Sequence, residues 1–189
     1  MSNAVTRTLV GNFTITGSFA HNNGSTATFN KTTTEELILS NIFSTSASCG
    51  MGGTATIRIT GGVINLVNGT LGGTTVLDGN IVLTFTNVQG NFSYQSGSIT
   101  GARNITINGN ATLNTNGMSF SQVNATNNGS TITLNSLLTA TGALILTFTN
   151  TFAGTAGFTV GTLSKIVATS VNTPLTLQNN VTYTVTSAI

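Results

Sequence analysis

A chain of 189 residues can bury a real apolar core, but only 4% of its side chains are charged, where an ordinary soluble domain carries roughly a quarter. The five basic residues, Arg7, Lys31, Arg58, Arg103 and Lys165, are scattered, so the net charge of +2 offers no cation cluster to displace counterions, and nucleic-acid binding is excluded. No run is apolar for long enough to span a membrane as a helix.

Thr, Asn, Ser and Gly stand where charge is missing. Such a surface hydrates well but does not repel its own copies, which points to self-association.

Residues 4–20 carry a two-residue period. Val5, Leu9, Phe13, Ile15 and Phe19 are odd-numbered, while Thr6, Thr8, Asn12, Thr14, Thr16 and Ser18 are even. This is a β pattern with one apolar face. Val10 breaks it once, and Gly11 offers a bulge. Residues 1–20 therefore read as an N-terminal β arm, either two strands joined by a bulge or an arm exchanged with a neighbouring subunit by strand addition. The five odd-face residues are the expected subunit contacts. The opening MSNAVTRTLVGNF lacks the basic-then-apolar layout of a secretory signal.

AHNNGS at 20–25 reads as a turn. TTTEELIL at 32–39 reads as a short helix begun by Thr34, Glu35 and Glu36, or as a strand behind a charged loop. Residues 44–53 are small and contain the single cysteine, Cys49, so no internal disulfide forms. Cys49 reads as a small apolar residue, or more sharply as a thiol that pairs with another subunit.

From Thr54 onward short strands alternate with Gly/Asn turns: 54–60, 63–67, 80–87, 91–95, 104–108, 110–114, 118–123, 142–150 and 156–171. Pro174 flanks an edge strand. In the final stretch Leu175, Leu177, Val181, Tyr183, Val185 and Ile189 share one parity.

One motif recurs. Residues 68–87 and 128–150 both open on Asn-Gly-Ser/Thr and close on LTFTN, and a fainter copy spans 23–41. The echo reads as a reused hairpin-like unit inside a single sandwich domain over 21–189. The expected fold is an all-β, antiparallel β-sandwich of jelly-roll type. The alternative is a β-solenoid of roughly twenty-residue rungs. Offsets of 60, 63 and 45 residues between matching positions look too irregular for stacked rungs.

Chemistry is sparse. His21 is the only histidine, and Glu35, Glu36 and Asp78 are the only acids. No nucleophile elbow, phosphate loop or metal-ligand spacing is present, so no catalytic, cofactor or metal site is expected. Glu35 and Glu36 are adjacent and would point to opposite faces of a strand, and Asp78 sits in a turn signature. Thr-x-Thr pairs recur at irregular intervals and read as the polar face of strands. Sequons begin at Asn12, Asn23, Asn30, Asn68, Asn91, Asn104, Asn110, Asn124, Asn128 and Asn180. They matter only in a glycosylating compartment.

The expected function is that of a structural subunit, building an extracellular fibre, appendage or virion shell from copies of itself by strand pairing and apolar contact. The alternative is an adhesin or glycan-binding module of a surface or tail fibre, using Asn, Thr, Tyr94 or Tyr183 on loops.

Overall fold

The structure is a computed structural model and describes residues 5–17, 19–20, 26–41, 43–44, 50–165, 175–177 and 180–186. Every strand pairing among them is parallel. The chain winds as a β-solenoid of about 7 turns. This overturns the antiparallel jelly-roll sandwich and matches the solenoid alternative.

Register shows the winding. Leu71 pairs with Val88, Val88 with Ile107, Ile107 with Ala125, and Ala125 with Leu146. A second column runs through Leu37 and Ile57, and a third through Val123, Leu144 and Leu163. Like residues therefore stack on like, one parallel-strand spacing apart, about 4.8 Å.

Alternation along each strand decides what is buried. In Asn104–Asn114, Ile105, Ile107, Ala111 and Leu113 point into the core, while Asn104, Thr106, Thr112 and Asn114 are half-buried on the outside. Parallel sheets are usually covered on both faces and then read as continuous apolar runs. A solenoid covers only its inner face, so its strands keep the in–out alternation of an antiparallel sheet. Periodicity alone cannot separate the two.

The corners separate them. Gly53, Gly73 and Gly90 have φ of 111°, 69° and 82° and lie one above another. A Cβ on Gly73 would lie 2.6 Å from the Gly53 carbonyl oxygen, and one on Gly90 2.5 Å from that of Gly73. Only glycine fits such a corner, which bends the chain without reversing it. Asparagines fasten other corners from turn to turn. The side-chain oxygens of Asn12, Asn80 and Asn110 accept from the backbone N–H groups of Glu36, Ser98 and Thr131 at 2.9, 3.0 and 2.9 Å. These asparagines thus satisfy backbone donors that the strands leave over.

The helix read over 32–39 is absent. Glu36–Leu39 is a strand, as in the second reading of that segment. Glu35 folds back onto the loop before it and accepts from the Thr32 and Thr33 N–H groups at 2.9 and 2.7 Å. The echo is not a hairpin either. Leu83 pairs with Ile64, whereas Leu146 stacks in the column of Val88. The two LTFTN runs lie on different parts of the winding.

Candidate functional site

Charge gathers at one place. Arg58 lies between Glu36 of the preceding turn and Asp78 of the next. Its guanidinium donates to both Glu36 oxygens at 2.7 Å and to Asp78 Oδ2 and Gln95 Oε1 at 2.9 Å. Ser96 Oγ donates to Asp78 Oδ1 at 2.7 Å. The Arg58 hydrogen bonds hold Glu36 below the usual carboxylate range. Ser96, then Arg58, do the same for Asp78. Two carboxylates kept ionised by one saturated arginine have no proton to give, so the group is a cross-turn fastening rather than an acid–base pair.

The built depression lies further along. Tyr94, Ile99, Arg103, Asn116, Gly117, Met118 and Ser119 line a hollow of about 290 Å³. Tyr94 belongs to the strand Thr74–Ser96 and packs its ring partly against the core. Its hydroxyl donates to the Gly97 carbonyl at 2.6 Å, and its own carbonyl accepts from Asn116 Nδ2 at 2.7 Å. Arg103 precedes the strand Asn104–Asn114 and donates from Nη1 to Ser119 Oγ at 3.1 Å.

Two non-glycine lining residues have left-handed backbone: Arg103 at φ 49° and Asn116 at φ 46°. For arginine this conformation costs energy. The backbone is pinned on both sides, because Arg103 N–H donates to Leu83 O at 2.7 Å and Arg103 O accepts from Ser121 N–H at 3.1 Å. Asn116 is held by a donation of its N–H to Ser136 Oγ at 3.0 Å. The site thus combines an aromatic ring, an amide, a hydroxyl and a guanidinium, with pinned backbone beneath two of them.

A second hollow, of about 310 Å³, is lined by Gly90, Asn110, Ala111, Thr112, Thr131 and Thr133. It has neither an aromatic ring nor a charge. Threonines stack from turn to turn: Thr131, Thr151 and Thr176 form one column, and Ser119, Thr139, Thr159 and Thr184 another. The irregular Thr-x-Thr spacing in sequence becomes regular stacking once turns of unequal length are wound.

The expected subunit contacts fall on the first turn. Val5–Leu9 pairs with Thr26–Lys31, Phe13–Ile15 with Glu36–Leu39, and Phe19–Ala20 with Phe43–Ser44. Within one copy these three strands therefore stack on the turn that follows them. Leu9 is buried and Ile15 packs against the core. Phe13 is 55% exposed and Val10 90%. Cys49, His21 and Pro174 lie outside the described residues. Tyr183 packs on Phe158 and Phe152 at ring-centroid distances of 4.8 and 6.4 Å; it helps to close the far end of the core and lies in neither hollow.

Of the residues lining the first hollow, the sequence singles out Tyr94, as it does Tyr183 outside it, but not Arg103 or Asn116. Asn116-Gly117 is a turn signal that favours positive φ. Nothing in the sequence singles out Arg103, since an arginine is an improbable residue for that backbone.

Among the described residues no three His, Cys, Asp or Glu side chains converge on a metal-sized site, and no helix is long and apolar enough to cross a membrane. Fold and hollow together define a parallel β-solenoid with a polar, aromatic-lined depression on its flank. No family model, curated protein or solved structure matches the chain.

Proposed function

We propose that this protein is a glycan-binding module of an extracellular surface structure or virion fibre, with the Tyr94–Arg103–Asn116 hollow as its binding site. That hollow is the observation that carries the reading. Saccharides are held by a few placed donors and acceptors beside an apolar or aromatic wall. Tyr94 offers the wall, and its hydroxyl oxygen remains an acceptor for a sugar hydroxyl. Arg103, Asn116 and Ser119 supply polar groups at the rim. A nearly uncharged solenoid rich in hydroxyls and amides suits display in water at the end of a stalk. The test is a glycan array probed with the intact chain and with Tyr94→Ala. Binding that Tyr94→Ala lowers about tenfold or more supports the reading, by loss of the contacts of one aromatic side chain. Undiminished binding by Tyr94→Ala places the site elsewhere.

A second reading, assembly from copies of the chain, is favoured by the first turn. The strand Val5–Leu9 pairs on one side only among the described residues, and Val10 and Phe13 are exposed beside it. An open strand edge with apolar neighbours is a template for another chain. Phe13→Lys should then shift sedimentation from oligomer towards monomer. Identical profiles for the two proteins would remove this edge from the assembly.

A further inference from the structure

We infer that the ligand of the Tyr94–Arg103 hollow is an acidic saccharide, a glycan bearing a sugar carboxylate of the uronic- or sialic-acid type. The inference rests on the reading of that hollow as the glycan site and adds the chemistry of its ligand.

The chain has three acidic side chains, and each is engaged elsewhere. Glu35 accepts from Thr32 and Thr33, while Glu36 and Asp78 both bind Arg58. Arg103 is half-buried, and among the described residues its guanidinium donates to neutral Ser119 and to no carboxylate. A guanidinium has five N–H donors in a planar fork, so Arg103 brings a positive charge and unspent donors to the wall of the hollow.

Its placement is also costly. A left-handed arginine is strained, and a residue with a smaller conformational penalty, asparagine or glycine, would serve the bend better. The strain is sustained by the pinned backbone on either side. A planar carboxylate matches the guanidinium fork with two parallel hydrogen bonds, a fit that a lysine ammonium does not reproduce, and a sulfate ester, the weaker base, accepts those bonds less strongly. Tyr94 hydroxyl, its proton committed to Gly97, can accept from a ring hydroxyl of the same sugar.

The experiment is calorimetric titration of the full chain with a carboxylated oligosaccharide, with its analogue in which the carboxylate is reduced to a hydroxymethyl group, and with a sulfated oligosaccharide. Each is repeated with Arg103→Asn, which keeps the left-handed bend, and with Arg103→Lys, which keeps the charge. Thermal melts of both variants check the fold. The expected result is a loss of about 10- to 100-fold for the carboxylated ligand in Arg103→Asn, the scale of a charge-assisted hydrogen-bonded pair. Most of that loss should recur in Arg103→Lys, and the reduced ligand, bound more weakly by the parent chain, should lose several-fold less than the carboxylated one in either variant. Equal affinity for sulfated and carboxylated ligands would overturn carboxylate recognition. Binding of the reduced ligand alone, unchanged in Arg103→Asn, would overturn the inference yet leave the glycan module standing. No binding of any saccharide would overturn both.

Discussion

Glycine and asparagine set the winding at the residue scale. Gly97 shows how closely the site depends on them. Its φ is 93°, its carbonyl accepts the Tyr94 hydroxyl, and a Cβ there would run into the Gly79 carbonyl of the preceding turn. Gly97→Ala is therefore expected to destabilise the chain by roughly 1–3 kcal/mol and to weaken whatever binds beside Tyr94. A denaturant melt indistinguishable from the parent would contradict the close stacking. The turn residues were legible in the sequence as Gly and Asn signals. Their direction was not, because a dipeptide such as Asn116-Gly117 does not state whether the chain reverses or merely bends. Arg103 was illegible for a different reason: its importance comes from residues one turn away, Leu83 and Ser121, which only the winding brings to it.

Strands and their cross-turn fastenings carry the element scale. The carboxylates of Glu36 and Asp78 are held ionised by Arg58 and Ser96, and Glu35 is lowered from 4.5 to about 2 by hydrogen bonds from Thr32 and Thr33. A depressed folded pKa gives stability that is complete above the unfolded value. It is lost as the pH falls through the folded one. The melting temperature should thus be flat above about pH 5 and fall towards pH 2. Arg58→Gln should shrink that acid-induced fall, since Glu36 and Asp78 then lie nearer their ordinary values. A fall of unchanged size would contradict the fastening.

The alternation of strands was read correctly in sequence, but its partner was not. A hairpin folded about residues 135–141 sets Thr131 opposite residues near Ile145, whereas in the solenoid Thr131 pairs with Thr151. With Cys49 replaced by Ser, Thr131→Cys together with Thr151→Cys should oxidise to an intramolecular disulfide, as parallel neighbours lie within disulfide reach. Failure to cross-link under oxidising conditions would count against the parallel register.

At the scale of the whole molecule, an aliphatic column runs through stacked turns. Phe152, Phe158 and Tyr183 meet towards one end of it, and the exposed Val10 and Phe13 lie at the other. Turns of unequal length hid this order. Offsets of 60 and 63 residues between the echoed motifs are close to three turns, yet the motifs occupy different parts of the winding, so a repeat search on sequence alone finds the number without the meaning. The low charge follows from the same architecture. Long polar sheet faces carry hydroxyls and amides; of the few charges, Glu36, Arg58 and Asp78 pair across turns, while Arg103 lines the hollow. The glycan array with the intact chain and Tyr94→Ala tests this functional reading most directly. Retention of a saccharide by the intact chain and its loss from Tyr94→Ala is the expected result; a chain that retains none would contradict it.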